Sequence, residues 1–474
     1  LILSKDPGIR AGAGWAAMDA LPDPRAMLAR YAAENLPRYT SYPTAPHFGG
    51  LNEAAYRAWL AGIGTDERLS LYLHVPFCHS LCWYCGCHTA VTRTPARLAR
   101  YAEGLRREAA MLAAALPGRN TVAALPGRNT VAALHLGGGT PSALGAAALD
   151  GVLRALRGAF PFDAGTELSI EIDPRLLDED MVALIAAHGF ARASLGVQDV
   201  SPAVQRRIGR VQPAAMVEEA VRRLRWAGVR SINFDLMYGL PGQAAADAAA
   251  SARFAAALGA DRVAVFGYAH VPWMKPHQKA IREAELPGAL ERMEQAEAAE
   301  RALLGAGYVA VGLDHFALPQ DAMALAAREG RLRRNFQGYT TDAAPVLLGL
   351  GASAIGAMAA GYAQNHAAER EWLAALDAGR LPVARGLPLT EEDRLRRSLI
   401  EAVMCDLALD LRRIPGHVWV AARPRLAPLL RDGLASLDEG RLVVTATGRR
   451  FARHVAACFD ARLGSGAARH SRAV

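Results

Sequence analysis

The sequence predicts an α/β fold: a partial or complete (β/α) barrel of parallel strands, with an N-terminal extension and a mainly helical, winged-helix-like C-terminal domain. Three observations carry that expectation. Between residue 69 and about residue 316, short β-rich runs alternate with longer alanine- and leucine-rich stretches of helical period. Repeats of this kind imply parallel strands joined by right-handed crossovers. Most polar and glycine-rich segments lie at or just past the C-terminal ends of the strand candidates, the face where such barrels place their chemistry.

The strand candidates are 69–75, 131–136, 167–172, 192–198, 231–237, 262–269 and 308–315. The chain divides into a leader and extension (1–35), a preceding segment (36–68), the barrel (69–320), a connecting and barrel-completing region (321–389) and a C-terminal unit (390–474). In the last, Thr390 with Asp393 reads as a capping box opening a helix. APLLRDGL, RLVVT and TGRRFARHVAACF then follow as helix, short strand or wing, and helix. Without a basic recognition helix, a packing or lid role is favoured over DNA binding. LPGRNTVAA at 116–124 recurs at 125–133, and only the second copy runs into LHLGGGTP. The first is expected to be a looped-out duplication, tolerated opposite the chemical face, whose deletion leaves activity intact.

At 474 residues and 52% hydrophobic, the chain has ample material for a large barrel plus a smaller unit and is incompatible with disorder. No unbroken apolar run is long enough for a membrane span. Residues 1–17 lack the basic and apolar regions of a secretory signal, and Met18 reads as the natural start. Net charge is +8, yet Lys5, Lys275 and Lys279 are the only lysines, and the arginines are interleaved with acids. The densest basic groups, 222–226 and 331–334, hold no block of five like charges. A solvated surface, or a pocket for an acidic small molecule, is therefore expected rather than a nucleic-acid face.

Four of the six cysteines, Cys78, Cys82, Cys85 and Cys87, fall within ten residues. Thiolates spaced C-x-x-x-C-x-x-C on one loop wrap a single inorganic group and are too close to clamp distant parts of a fold. Soft sulfur ligands favour zinc, copper(I) or iron–sulfur centres. A structural zinc site usually adds a second knuckle further along the chain. None is present, so the spacing argues for iron–sulfur, with zinc, a disulfide or inert thiols as alternatives. A cluster held by three cysteines leaves one iron open. Clustered thiols with no disulfide framework fit a reducing, cytoplasmic setting.

Gly137 to Pro141 read GGGTP after the second strand. Glycines let a backbone approach a ligand without Cβ clashes, although a tight turn would read the same. Glu171 and Asp173 share a face, because residues two apart point the same way along a strand. Ribose hydroxyls or a structural ion pair would each satisfy Glu171. Gln198 ends GVQ, and Arg210 ends QRRIGR. Asp235 stands in the apolar run SINFDLMYGLPGQ, where an unpaired charge is costly. It is expected to be ion-paired or to touch a ligand, with Arg210 the candidate partner.

The three-cysteine loop is the signature of radical S-adenosylmethionine (SAM) enzymes. Together with PRYTSYPTAPHF (37–48), YLHVPFCHSLCWYCGC (72–87), HLGGGTP (135–141), EIDPR (171–175), LGVQD (195–199), NFDLMYGLPGQ (233–243), YAHVPW (268–273) and NFQGYTT (335–341), it resembles the oxygen-independent coproporphyrinogen III oxidase (coproporphyrinogen III dehydrogenase) family from about residue 36 to the C-terminus. The resemblance implies a radical SAM-type partial barrel in which Cys78, Cys82 and Cys85 hold a 4Fe-4S cluster. SAM chelates the open iron, and an electron cleaves it to methionine and a 5′-deoxyadenosyl radical. That radical abstracts a β-hydrogen from the ring A and B propionates of coproporphyrinogen III, and loss of CO₂ leaves the vinyl groups of protoporphyrinogen IX, in haem synthesis. By the same resemblance, Tyr72, Gly138, Glu171 and Ile355 match contacts of the cluster-bound SAM. Tyr84, Gly139, Thr140, Gln198, Arg210, Asp235 and Ala269, with Phe336 and Gln337 close by, match those of a second SAM. Cys87 and Tyr72 are the catalytic candidates. Cys87 matches a required non-ligand cysteine, with a small buried thiol as its alternative. An electron donor such as flavodoxin or ferredoxin, a monomer, and closure of 36–68 over the substrate are also implied. Met237 for an isoleucine and Leu318 for an arginine depart from the family pattern. A related haem-binding chaperone and a cluster-bearing nucleic-acid binder are the rivals, and PRYTSYPTA, the Cys85–Cys87 pair and NFQGYTT favour the oxidase.

Overall fold

Seven parallel strands form the centre of the molecule: Leu69–Val75 (β1), Val131–Gly138 (β2), Phe162–Ile172 (β3), Arg192–Gln198 (β4), Ser231–Tyr238 (β5), Arg262–Gly267 (β6) and Val346–Leu350 (β7). They lie in the order β7-β1-β2-β3-β4-β5-β6. The computed structural model describes residues 23–117 and 129–464. Met18 and most of the first LPGRNTVAA copy lie outside them; the second copy leads into β2 at Val131.

Antiparallel strands extend both edges, giving one thirteen-stranded sheet that stays open, so the barrel is partial. Ile355–Met358, Gly361–Asn365 and Val383–Pro388 follow outward from β7. The expected strand 308–315 is a correction. The chain folds there into an antiparallel hairpin, Val309–Val311 with His315–Ala317, whose second arm runs antiparallel to β6. Gly312 turns it at φ +55°, and the Tyr339 ring fills the space where a Cβ would stand.

The crossover helices cover the outer face of the sheet: Pro95–Ala115 (α1), Ala146–Ala159 (α2), Glu179–His188 (α3), Ala214–Trp226 (α4), Ala245–Ala257 (α5) and Ala289–Gly305 (α6). Helix α3 starts where Asp178 accepts the Met181 N–H at 2.8 Å and stops at Gly189, φ +71°. Strict alternation sorts each strand. On β5, Ile232, Phe234 and Leu236 are buried in the apolar core, each worth about 1.5–3 kcal/mol. Ser231, Asn233 and Asp235 face a barrel lumen of about 330 Å³, lined also by His135, Ser169, Arg192 and Ser194.

The C-terminal unit opens with Glu391–Asp406 (α7), whose Thr390–Asp393 capping box forms as expected. Gly416–Arg431 (α8) and a small antiparallel sheet of 408–410, 441–444 and 435–438 complete the helix-and-wing pattern. No helix among the described residues is long and apolar enough to cross a membrane.

Candidate active site

Past β1 the chain pairs Phe77–Cys78 with Ala90–Val91, closing residues 79–89 into a loop. A loop has no ladder of its own, so its carbonyls need outside partners. One segment supplies three. Gln278 Nε2 donates to Tyr84 O (2.9 Å), His277 Nε2 to Cys85 O (2.8 Å) and Lys275 Nζ to Cys87 O (2.8 Å). The Trp83 N–H donates to Ile208 O at 2.9 Å. These bonds fix where the sulfurs point.

All four thiols line a cavity of about 170 Å³ at the C-terminal ends of β2 to β5. Gly138 and Gly139 form one wall. A Cβ on Gly139 would stand 2.5 Å from Thr89 Oγ1 and 2.6 Å from Phe77 O, so only glycine lets the strand end lie against the loop. The Gly138 N–H, at φ +116°, donates to Glu171 Oε2 at 3.0 Å. Glu171 Oε1 lies 3.3 Å from His135 Nε2, and the His135 ring stacks on Tyr72 (5.8 Å, 14°).

The opposite wall is charged. Asp173 takes the Arg175 guanidinium at 2.6 Å and Arg210 at 3.3 Å. Burial opposes its charge, and the two arginines more than offset that, holding the carboxyl below its usual range. The same arginines approach Cys82 Sγ, at 3.8 and 3.5 Å, and Arg210 also donates to Gly196 O (2.6 Å). Burial and the neighbouring Glu171 push Asp235 up to about 6, against hydrogen bonds from Ser194 (2.9 Å) and Asn233 (2.8 Å). Burial pushes Cys78 up to about 11, while a hydrogen bond from Cys87, aided by His277 and Lys275, brings Cys85 down to about 6. Gln198 sits at φ +67°, a left-handed conformation that is unusual outside glycine and concentrates at functional sites.

Residues 72–255 match the radical SAM superfamily, and 389–451 match the HemN C-terminal domain. The chain is 46% identical, over 94% of its length and 98% of the relative's, to the oxygen-independent coproporphyrinogen III oxidase of Bradyrhizobium diazoefficiens. The chain belongs to the oxygen-independent coproporphyrinogen III oxidase family. The Escherichia coli member is 38% identical over 90% of this chain and 93% of its own. A solved structure of the E. coli coproporphyrinogen III oxidase, described as a radical SAM enzyme, superposes with a TM-score of 0.83 at 37% identity, covering 90% of this chain and all of that one.

Membership of this oxidase family and of the radical SAM superfamily implies a 4Fe-4S cluster and SAM, and the cavity's donor set fits an iron–sulfur group. Cys78, Cys82 and Cys85 line one cavity, two guanidinium groups approach the Cys82 sulfur, and Thr89 Oγ1 lies 3.2 Å from Cys78 Sγ. No three His, Cys, Asp or Glu side chains among the described residues close on a point as a single metal ion needs. The four thiols instead line the wall of a cavity. Their ligation requires loss of the thiol protons, which the guanidinium groups of Arg175 and Arg210 beside Cys82 and the Lys275 ammonium near Cys85 favour.

Of the residues expected for the oxidase site, the cavity gathers Cys78, Cys82, Tyr84, Cys85, Cys87, Gly138, Gly139, Thr140, Glu171, Gln198, Arg210 and Asp235. Tyr72 stands behind it, joined through His135 to Glu171. Ile355 lies against Gly349, which pairs with Tyr72 across β7 and β1. The Ala269 carbonyl accepts from Gln278, the residue that also holds Tyr84 O. Phe336 and Gln337 line a neighbouring cavity.

One expectation is corrected. Arg210 does not pair with Asp235: its carboxylate is Asp173, because the chain after β4 folds back over Gly196, while Asp235 is satisfied by Ser194 and Asn233. For Cys87 the alternative of a small buried thiol does not hold, since the residue is exposed on the cavity wall. Arg175, Ser194, Asn233, Lys275 and His277 were missed. For Ser194 and Asn233 the signal was available, as polar residues stand at 192, 194 and 198 of β4 and at 231, 233 and 235 of β5. For Lys275 it was the rarity of lysine in this chain.

Proposed function

We propose that this chain carries out oxygen-independent oxidative decarboxylation of coproporphyrinogen III, converting the ring A and B propionates to vinyl groups and so forming protoporphyrinogen IX for haem synthesis. The observation that carries the reading is the single cavity in which the three-cysteine loop meets the glycines, Glu171, Arg210 and Asp235 at the ends of four strands. In this reading Cys78, Cys82 and Cys85 hold the 4Fe-4S cluster. Bound there, the cluster and SAM supply one-electron reductive cleavage and a hydrogen-abstracting radical.

The chain's own groups bind, orient and shield. Gly138 and Glu171, with Tyr72 and Ile355 behind them, grip the SAM nearest the loop. A second SAM rests against Tyr84, Gly139, Thr140, Gln198, Arg210, Asp235 and Ala269, with Phe336 and Gln337 beyond. Cys87 stays free of iron, and its exposure on the cavity wall supports a role toward the substrate, such as holding a proton or hydrogen atom there. Each propionate loses one hydrogen and CO₂, and one electron leaves for an external acceptor. The substrate's four propionates suit a chain whose basic excess is almost wholly arginine. Flavodoxin or ferredoxin as donor, a monomer, a cytoplasmic setting and closure of segment 36–68 complete the proposal.

An anaerobic assay tests it. Vinyl-porphyrinogen formation that depends on SAM and on a low-potential reductant is the expected result. Stable haem binding without turnover, or salt-sensitive retention of nucleic acid, would replace the reading.

A further inference from the structure

A second cavity, of about 340 Å³, opens beside the C-terminal ends of β5 and β6. It is walled by five arginines from three parts of the chain: Arg38 from the N-terminal segment, Arg334 from the ribbon 333–340, and Arg449, Arg450 and Arg453 from the C-terminal unit. Glu300 and Asp314 are the only acids on its walls among the described residues. Both are engaged. Glu300 pairs with Arg449 at 2.8 Å and with Arg450, and Asp314 takes a 2.7 Å bond with His315 while facing Arg334 and Arg453.

The guanidinium groups of Arg38 and Arg334 form no salt bridge among the described residues. Arg38 Nη2 donates to Gly267 O at 3.5 Å. Arg334 donates to Tyr39 O and Arg38 O, each at 3.1 Å, and its guanidinium lies 4.3 Å from the centre of the Tyr339 ring. Those bonds leave each guanidinium with further N–H groups for a ligand. Like charges gathered in a recess repel one another, and an anion relieves that repulsion.

The position adds direction. This cavity shares Phe266, His315 and Gln337 with the barrel lumen, which in turn shares Cys87, Glu171, Ser194 and Asp235 with the cysteine cavity. A large ligand can therefore extend from one to the other. At the cysteine end Glu171 and Asp235 form no ion pair with an arginine among the described residues, while at the far end the Arg38 and Arg334 guanidinium groups form none with a carboxylate. A polycarboxylate is thus steered to leave its spectator carboxylates among the arginines.

We propose that the arginine cavity anchors the substrate's non-reacting propionates, with Arg38 and Arg334 making the direct ion pairs. This assignment rests on the tetrapyrrole substrate proposed above.

The test titrates coproporphyrin III, the fluorescent oxidised form of the substrate, anaerobically into the cluster-loaded full chain, beside its tetramethyl ester in detergent. Arg38→Gln and Arg334→Gln are each expected to weaken binding of the acid about tenfold, as loss of a half-buried charge-assisted pair, and to leave ester binding unchanged. KM for the substrate should rise by the same factor, with iron per chain and SAM affinity unaltered. Unchanged affinity for the acid, equal losses for acid and ester, or no binding of the acid by the unmodified chain would overturn the anchor. If Arg334→Gln fails to fold, Arg38→Gln, at an exposed side chain, decides the matter alone. The two levels separate cleanly. Absence of turnover by the unmodified chain counts against the reaction, whereas the binding comparison decides the anchor.

Discussion

Replacing Arg210 with methionine should cost little stability and much function. Arg210 is 8% exposed and makes four kinds of contact, with Asp173, Gly196 O, Cys82 Sγ and the cavity itself. Removing one partner of a buried ion pair ordinarily costs about 3–5 kcal/mol, because a bare charge is left behind. Here each of its protein partners keeps a second donor. Asp173 retains Arg175 at 2.6 Å, Gly196 O retains Gln212 Nε2 at 3.2 Å, and Cys82 retains Arg175 at 3.8 Å. The loss should therefore be that of ordinary hydrogen bonds, about 1–2 kcal/mol, read by urea unfolding under anaerobic conditions. Arg175→Met should behave alike, since Arg210 then covers Asp173. The double variant leaves Asp173 uncovered and should lose about 3–5 kcal/mol, exceeding the sum of the singles by about 1 kcal/mol or more. Function should not be buffered in this way. Arg210→Met alone removes a cation from the wall of the cysteine cavity, and should lower turnover at least tenfold. Strict additivity in the cycle, or a single-variant loss above about 4 kcal/mol, would refute the shared-cover argument.

Gly139→Ala should fail to hold iron after anaerobic reconstitution, because its Cβ meets the Phe77 backbone at 2.6 Å; iron and sulfide per chain near the unmodified level would contradict this. Serine at Cys78, Cys82 or Cys85 should abolish the brown chromophore and turnover together, whereas Cys87→Ser should keep the colour and lose activity, both read by absorbance and vinyl-porphyrin yield. Glu108 is buried and pushed up to about 7, chiefly by desolvation, although the Gly351 N–H, Asn365 and Trp372 all donate to it. A raised carboxyl pKa means that the folded chain holds this proton better than the unfolded one. Its contribution is complete below the unfolded value and declines as pH rises through about 7, by an amount on the order of 3 kcal/mol. Urea unfolding of Glu108→Gln should lack that decline between pH 5 and about 7, and parallel pH curves for the two proteins would contradict the assignment.

The parts of the fold that were legible in the sequence are those written in local period. Alternation placed 192–198 on its observed strand and 231–237 within Ser231–Tyr238, because each buries one face under helices. The cysteine loop, GGGTP and Glu171 were legible for a related reason: each sits directly past or at the end of such a strand, and parallel strands bring all their C-terminal ends together. What the chain does between elements was not legible. Arg210 follows a short helix and the left-handed Gly209, φ +65°, and that turn decides which carboxylate it meets. The hairpin at 308–315 depends on Tyr339, distant in sequence, filling the space beside Gly312.

The polar lumen is the feature that links the fold to its chemistry. A closed parallel barrel fills its interior with layers of branched apolar side chains. Here the inner positions carry His135, Ser169, Glu171, Arg192, Ser194, Asn233 and Asp235, so the interior is not a core. The apolar core lies instead between the sheet and its outer helices, where Leu134, Ile170, Leu195, Phe234 and Val263 are buried. Stability and chemistry are thereby assigned to opposite faces of the same strands. Truncating an outer residue such as Phe234 removes packing worth about 3–5 kcal/mol, whereas exchanging an inner Ser194 alters only hydrogen bonds. The lumen is therefore the part of this fold whose residues can change with the ligand while the strands that carry them stay in place.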